Sequence, residues 1–111
     1  MKINYEDFRK VDIRVGTVLS VKNNEKARQP ALVLEVDFGN KIGIKTSSAK
    51  INHYYNPENL IGKQIIAVCN FPTKNIASVE SEVLVLGAME KDGKVVLIHP
   101  SKKVANGLEI I

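Results

Sequence analysis

Long apolar runs, paired cysteines and tryptophan are all missing from this sequence of 111 residues. No stretch approaches the roughly 20 apolar residues that cross a bilayer, and the first ten residues, MKINYEDFRK, contain no apolar signal region. The one cysteine, Cys69, lies in the apolar stretch IIAVCN, and a lone buried thiol is typical of a reducing compartment. We therefore predict a cytoplasmic protein with no membrane insertion.

Motifs for catalysis are equally scarce. The two histidines, His53 and His99, have no partner at metal-ligand spacing, and no glycine-rich phosphate loop is followed by a lysine. The sequence also has no serine-nucleophile motif and no cysteine pair. An enzyme would have only Glu35, Asp37, His53 and Cys69 to draw on. The sequence thus predicts no catalytic residue, no metal site and no cofactor.

Acidic residues are outnumbered, with 12 Asp and Glu against 16 Lys and Arg, which gives a formal net charge of +4. A basic excess favours acidic partners such as nucleic acid. No run of basic residues is longer than two, as in Arg9-Lys10 and Lys102-Lys103, so a basic patch would have to be assembled by folding. Dispersed, solvated lysines are the alternative.

Apolar residues alternate with polar ones along much of the chain, and this period of two predicts β-strands. Residues 13–21 place Ile13, Val15, Leu19 and Val21 on one face, and residues 31–38 place Phe38 with three apolar neighbours on another. Gly39-Asn40 is a turn signal that predicts a hairpin with residues 41–46. A glycine inside the first strand, Gly16, is typical of a barrel strand that bends sharply.

Later segments add two apolar strands and short helices. Residues 64–70 and 82–88 are apolar on both faces, which predicts central strands, and Asp92-Gly93 predicts a hairpin. Ser47 or Ser48 is expected to cap a short helix that Asn56-Pro57 interrupts, and Asn4 to cap another near the start. The pattern predicts one all-β domain over residues 1–111, a five-stranded Greek-key barrel of the OB-fold type.

Barrels of this type bind ligands along one sheet face with basic side chains and aromatic rings. The candidate basic residues are Arg14, Arg28, Lys45 and Lys74. The candidate rings are Phe38 and Phe71, although a ring that shares a strand face with apolar residues, as Phe38 does, is more often core than a binding platform.

Five segments, in order along nearly the whole chain, resemble the tRNA-binding-domain family. They are residues 12–16 (DIRVG), 27–39 (ARQPALVLEVDFG), 60–63 (LIGK), 70–72 (NFP) and 81–84 (SEVL). Residues 44–51 (IKTSSAKI) and 81–88 (SEVLVLGA) are most similar to a branch of small export-associated chaperones. Members that bind tRNA usually have a Gly-Met pair shortly after the serine matched by Ser81, where this chain has Val83-Leu84.

The resemblance implies a ligand groove beside Ser81 and Glu82, with Asn70 and Phe71 close by. Membership of the chaperone branch implies a homodimer, formed through the chain termini, that binds unfolded or precursor polypeptides without being an enzyme. A free-standing tRNA-binding protein is the alternative, with the four basic candidates lining a track for phosphates. For the segment SVESE, residues 78–82, the alternative to a groove rim is that its glutamates merely keep an apolar strand soluble.

Overall fold

A computed structural model describes all residues from 1 to 111. Its elements are two short helices, α1 (Tyr5–Arg9) and α2 (Pro57–Leu60), and nine strands. The strands are β1 (Ile13–Asn23), β2 (Leu32–Asp37), β3 (Ile44–Ala49), β4 (Gln64–Val68), β5 (Lys74–Ile76), β6 (Val79–Ser81), β7 (Leu84–Val85), β8 (Gly87–Met89) and β9 (Val95–Leu97). The helix α2 lies between β3 and β4, as the period of the sequence predicted for a helical piece.

Five strands form an antiparallel sheet in the order β3-β2-β1-β4-β7. The long strand β1 pairs with β4 through Ile13 to Thr17 and with β2 from Thr17 onward, so it belongs to both halves of the sheet. The sheet closes where β3 meets the segment between β6 and β7, because the Glu82 N–H donates to the Thr46 carbonyl at 2.8 Å. This nearly closed five-stranded barrel confirms the predicted OB-fold.

Apolar residues of β1, β2 and β4 fill the interior of the barrel. Leu34, Val36 and Phe38 are buried there, as their shared strand face predicted. Gly16 lies against them, and a Cβ at this position would come within 2.6 Å of Val36 Cγ1 and 2.8 Å of the Phe38 ring. Only a residue without a side chain fits, so the glycine is required for close packing across the barrel.

The alternation predicted for β1 breaks in the second half of the strand. A register irregularity lies between Val18 and Ser20. Gly16 and Val18 face the core before it, Val21 faces the core after it, and Leu19 is 44% exposed. A β-bulge adds one residue to one strand only and thereby moves later side chains to the opposite face. The prediction that Val21 shares one face with Ile13 and Val15 was wrong for this reason.

The predicted helix cap at Ser47 or Ser48 was also wrong. Both serines belong to β3, where the Ser47 hydroxyl donates to the Val83 carbonyl at 3.0 Å. The helix begins later, at Asn56-Pro57, with the Asn56 side chain accepting the Asn59 N–H at 2.9 Å. Proline fits the first helical position, whose N–H has no partner within the helix, so this pair starts the helix instead of interrupting it.

Two strand boundaries also differ from the sequence prediction. The turn after β2 is longer than Gly39-Asn40 alone, since Gly43 also has a positive φ of 88°, and it leaves Lys41 outside β3. Residues 82–88 do not form one central strand, because the chain changes partners there and is divided between β7 and β8. The Asp92-Gly93 hairpin between β8 and β9 is confirmed.

The C-terminal end of the chain lies along β1. The carbonyl of Leu108 accepts the Val15 N–H at 3.0 Å, and the Ile110 N–H donates to Ile13 at 2.9 Å, so the C-terminal residues run beside the strand. Helix α1 begins after Asn4, whose N–H donates to the Asp7 carboxylate at 3.1 Å. Neither helix has the length and apolar character needed to cross a membrane.

Candidate functional site

A cavity of about 500 Å³ lies beside the seam of the barrel, where β3 meets the end of β6. We call it the groove cavity. Its walls come from β3, from the loop after β4, from the β5–β6 hairpin and from residues 82–84. The lining residues are Ser48, Phe71, Pro72, Thr73, Lys74, Ile76, Ser81, Glu82, Val83 and Leu84.

Four residues predicted for the site line this cavity together: Phe71, Lys74, Ser81 and Glu82. The Phe71 side chain is 55% exposed, so its ring is accessible to a ligand at the cavity mouth. Lys74 is exposed and forms no ion pair with a carboxylate of the chain. The cavity therefore combines apolar walls, one open aromatic ring and one free ammonium group.

Ser81 and Glu82 also hydrogen-bond to β3 and so help to close the barrel. The Ser81 Oγ accepts the Ser48 N–H at 3.1 Å, and one Glu82 carboxylate oxygen accepts the Thr46 N–H at 3.1 Å. Two backbone amides of β3 thus bond to side chains of the facing segment in place of strand carbonyls. The segment SVESE is both a wall of the cavity and part of the barrel seam, which explains why acidic and hydroxyl groups directly precede an apolar run.

Lys45 interacts with the second oxygen of the same carboxylate, Nζ to Oε2 being 3.6 Å. Both side chains are about one third exposed, with values of 35% and 34%. The ammonium group is thereby offset by a neighbouring negative charge. Lys45 lies beside the groove cavity, but its attraction for a phosphate is weakened by Glu82.

Phe38 and Asn70 were predicted to contact a ligand, but neither lines the groove cavity. Phe38 is only 1% exposed and packs in the core, so neither face of its ring is available for stacking. The Asn70 amide donates to the Lys10 carbonyl at 2.7 Å and accepts the Asp12 N–H at 3.0 Å. Asn70 therefore ties the N-terminal segment to the end of β4 and does not line the groove cavity.

Arg14 is likewise held by the protein itself. Its Nε donates to the Asp12 carboxylate at 2.6 Å, one terminal nitrogen donates to the Gly107 carbonyl at 3.1 Å, and the other is 3.7 Å from Glu109. The hydrogen bond to Asp12 raises the pKa of Arg14. Arg28 is exposed in the loop between β1 and β2 and is not among the residues that line the groove cavity.

Ser48 was not predicted as a site residue, because its place in the sequence suggested a helix cap. It lines the groove cavity, and its hydroxyl oxygen is buried without a hydrogen-bond partner. Leu84, which lay in an assumed central strand, is 50% exposed at the same cavity. The period of two indicates which residues alternate, but not where a strand leaves the sheet, so neither residue could be identified from the sequence.

The β5–β6 hairpin that forms one wall has a tight turn at Ala77 and Ser78. Both residues have positive φ values, of 48° and 70°, although neither is glycine. The left-handed region is unfavourable for residues with a Cβ. The Asn75 side chain accepts the Ser78 N–H at 3.2 Å and thereby stabilises the turn.

The two histidines and the cysteine lie outside the groove cavity. No cluster of three or more histidine, cysteine, aspartate or glutamate side chains has metal-binding geometry. Burial raises the pKa of the Cys69 thiol to about 11, so the thiol is protonated at neutral pH.

Comparison with known proteins agrees with this description. The model of a family described as a putative tRNA binding domain matches residues 13–109. Among curated proteins, the methionine–tRNA ligase of Porphyromonas gingivalis is 39% identical over 108 residues, which are 97% of this chain and 15% of that protein. The ligase of Flavobacterium johnsoniae is 35% identical, with the same coverage. The chain thus spans about one seventh of the length of these relatives.

Solved structures match over the full length. A crystal structure of the chaperone CsaA from Bacillus anthracis is 50% identical, with a TM-score of 0.94 and complete coverage of both chains. The CsaA chaperone protein of Picrophilus torridus is 48% identical, with a TM-score of 0.92 and coverage of 99% and 100%. A protein of Pyrococcus horikoshii described as related to methionyl-tRNA synthetase is 31% identical, with a TM-score of 0.87 over both complete chains.

With the OB-fold barrel and the family match over residues 13–109, the chain belongs to the tRNA-binding-domain family. The family resemblance seen in the sequence is confirmed. Within the family, the full-length structural agreement at about half identity makes it a protein of the CsaA type.

Proposed function

We propose that this protein is a non-enzymatic chaperone that binds unfolded or precursor polypeptides in the groove cavity. The observation that carries the proposal is the pairing of the exposed Phe71 ring with an apolar cavity of about 500 Å³. Concave, largely apolar sites with a few polar groups are the usual form of ligand sites. The two CsaA chaperones of about 50% identity support the same function.

Each part of the cavity suits one part of an extended polypeptide. Ile76, Val83 and Leu84 offer apolar contact to a buried client side chain, and Phe71 covers it from the mouth. Lys74 attracts acidic client groups. The unpartnered Ser48 hydroxyl and the remaining acceptor capacity of Glu82 suit the polar peptide backbone. Binding by burial alone delays aggregation and needs no nucleotide.

We also propose that one domain spans residues 1–111 and that two copies form a homodimer through the chain termini. The exposed apolar residues Ile3, Tyr5, Leu108 and Ile111 belong to the two terminal segments. These segments adjoin each other, since Arg9 lies 3.9 Å from Glu109. A second copy would cover this apolar surface and present two groove cavities to one client. The unpaired Cys69 supports the cytoplasm as the setting.

A second candidate function is tRNA binding, and the methionine–tRNA ligase relatives favour it. Nearly all of this chain, 97%, is matched to one portion of those enzymes. Of the four basic residues predicted for a phosphate track, Arg14 and Lys45 are paired with carboxylates, while Arg28 and Lys74 are free of such pairs. The predicted track is therefore weaker than the sequence suggested.

A titration with Phe71→Ala tests the chaperone function. The labelled ligand is reduced, carboxymethylated α-lactalbumin, which stays unfolded, and binding is followed by fluorescence anisotropy. We expect the variant to bind about tenfold more weakly, because truncating an aromatic anchor typically removes more than about 1 kcal/mol. Leu19→Ala is the matched control, since Leu19 is also an exposed apolar side chain but lies outside the cavity.

The melting temperature of both variants separates binding from folding. Because Phe71 is more than half exposed, its loss should change stability little. Equal affinities for wild type, Phe71→Ala and Leu19→Ala would exclude the groove cavity as the client site. Salt dependence then separates the two candidate functions, since phosphate binding weakens steeply as salt rises and apolar burial does not.

A further inference from the structure

A second cavity, of about 590 Å³, is lined by none of the residues that line the groove cavity. It lies between the end of α2, the start of β4 and the segment that follows β9. We call it the basic cleft, after Lys63, His99, Lys102 and Lys103, which are among its lining residues. Its other walls include Leu60, Ile65 and Leu97, so basic groups surround an apolar floor.

No carboxylate offsets this charge within the cleft. Its 14 lining residues include neither aspartate nor glutamate, and the three lysines take part in none of the ion pairs of the protein. Arg14 and Lys45, in contrast, are matched with acidic partners. The cleft therefore presents positive charge that is not offset by an ion pair.

The fold holds these lysines on one cleft although they are about 40 residues apart in the sequence. The Gln64 amide donates to the Val104 carbonyl at 2.7 Å, and its oxygen accepts the Val104 N–H at 3.0 Å. Gln64 follows Lys63 and Val104 follows Lys103, so this pair of hydrogen bonds holds the two basic segments side by side. The Lys63 carbonyl is itself fixed by the Val18 N–H at 2.9 Å.

Like charges that the backbone holds on one cleft repel each other, and an anionic ligand relieves that repulsion. The apolar floor favours a ligand that also has an apolar part, because a small inorganic anion would leave this floor uncovered. Tyr55 lines the same cleft, and its hydroxyl accepts the Leu97 N–H at 2.8 Å, which fixes the ring at the wall. A phosphate attached to a flat, largely apolar base fits both features.

We propose that the basic cleft binds nucleotide units, with the lysines on the phosphate and the apolar floor and Tyr55 against the base. The unit is either a free nucleotide or part of an RNA strand. This site is independent of the polypeptide function of the groove cavity. For the tRNA function, it places the RNA phosphates at the lysines of the basic cleft instead of at Arg28 and Lys74.

The test is a nuclear magnetic resonance titration of ¹⁵N-labelled protein with AMP and, separately, with the hexanucleotide U6. Three proteins are compared: wild type, Lys63→Ala/Lys102→Ala/Lys103→Ala, and the control Lys2→Ala/Lys41→Ala/Lys91→Ala. The control removes the same charge from exposed lysines that are outside the cleft and not ion-paired. All six lysines are exposed, so both variants should fold, and circular dichroism checks this.

We expect amide shifts around Lys63 and Lys103 in wild type and in the control, but not in the cleft variant. For U6, losing three phosphate contacts should lower the log-log salt slope by about 2 and the affinity by about 50-fold at 0.15 M salt. Shifts with U6 alone would identify an RNA strand as the source, and shifts with AMP alone a free nucleotide; both support the site.

Two results would overturn the proposal: no shift at the cleft with either ligand, or equal losses in the cleft variant and the control. The same three proteins are also titrated with unfolded α-lactalbumin and with tRNA. These titrations distinguish failure of the basic cleft from failure of the two proposed functions. If tRNA binds wild type and the cleft variant equally, the tRNA function stands and the basic cleft is excluded as the place where tRNA binds. If no protein binds tRNA but AMP shifts the cleft, the site stands and the tRNA function fails.

Discussion

Replacing Glu82 by glutamine should weaken the barrel seam and strengthen the attraction for nucleic acid at the same time. The carboxylate accepts the Thr46 N–H and interacts with Lys45. Glutamine keeps an oxygen for Thr46 but removes the charge. A hydrogen bond to a charged group is stronger than a neutral one by about 1 kcal/mol, and an ion pair this exposed adds about 0.5 kcal/mol or less.

The expected loss in the free energy of unfolding is therefore about 1 to 1.5 kcal/mol, or about 4 to 6 °C in melting temperature for a domain of this size. Glu82→Ala should lose more, in total about 3 kcal/mol, because the Thr46 N–H is then left without a partner. Lys45→Ala should lose only the ion pair. Calorimetry on the three variants should rank them in the order Lys45→Ala, Glu82→Gln, Glu82→Ala.

Affinity for nucleic acid should change in the opposite direction. Glu82→Gln releases Lys45 for one phosphate contact, which raises the log-log salt slope by about 0.9 and the affinity for tRNA about fivefold at 0.15 M salt. Affinity for unfolded polypeptide should fall, since Glu82 lines the groove cavity. Equal melting temperatures for Glu82→Ala and Lys45→Ala, or weaker tRNA binding by Glu82→Gln, would refute this account of the seam.

Three further predictions test separate features, two with substitutions and one with the native thiol. Gly16→Ala should cost about 1 to 3 kcal/mol by overpacking against Phe38, and an unchanged melting temperature would contradict the close approach. Ser78→Gly should stabilise by about 0.5 kcal/mol, because relief of the positive φ slightly exceeds the added entropy of the unfolded chain; a lower melting temperature would argue against a strained turn. Cys69 in the native protein should react with iodoacetamide at pH 8 about 100-fold more slowly than Cys69 in the protein unfolded by urea, since folding raises its pKa to about 11. The free energy of unfolding should also fall as pH rises from about 9 to about 11, because the thiol of the unfolded chain ionises first.

The sequence predicted the fold well where one physical rule decides the outcome. Alternation placed Phe38 on the apolar face of β2, and Asp92-Gly93 marked its hairpin. It failed where tertiary structure overrides a local pattern. The bulge after Val18 reverses the faces of β1, and the partners of Ser47 come from a segment 36 residues away.

The residues of the candidate site were likewise predicted only in part from the sequence. Phe71, Lys74, Ser81 and Glu82 were identified by family resemblance and residue type, and they line one cavity. Arg14 was selected for its charge, but charge in a sequence does not reveal a carboxylate partner, which here comes from Asp12 and from the far C-terminal Glu109. The basic cleft was missed because Lys63 and Lys103 are brought together only by a hydrogen-bonded contact between distant segments.

The seam of the barrel has a consequence for the motions of the protein. The amides of Thr46 and Ser48 are held by side-chain oxygens of Glu82 and Ser81, and a side chain releases its partner by a single rotamer change without moving the backbone. These two amides should therefore exchange with deuterium sooner than their neighbours that pair with β2. Since the same two side chains line the groove cavity, occupancy of the cavity should slow this exchange, which makes it a local reporter of when the cavity is filled.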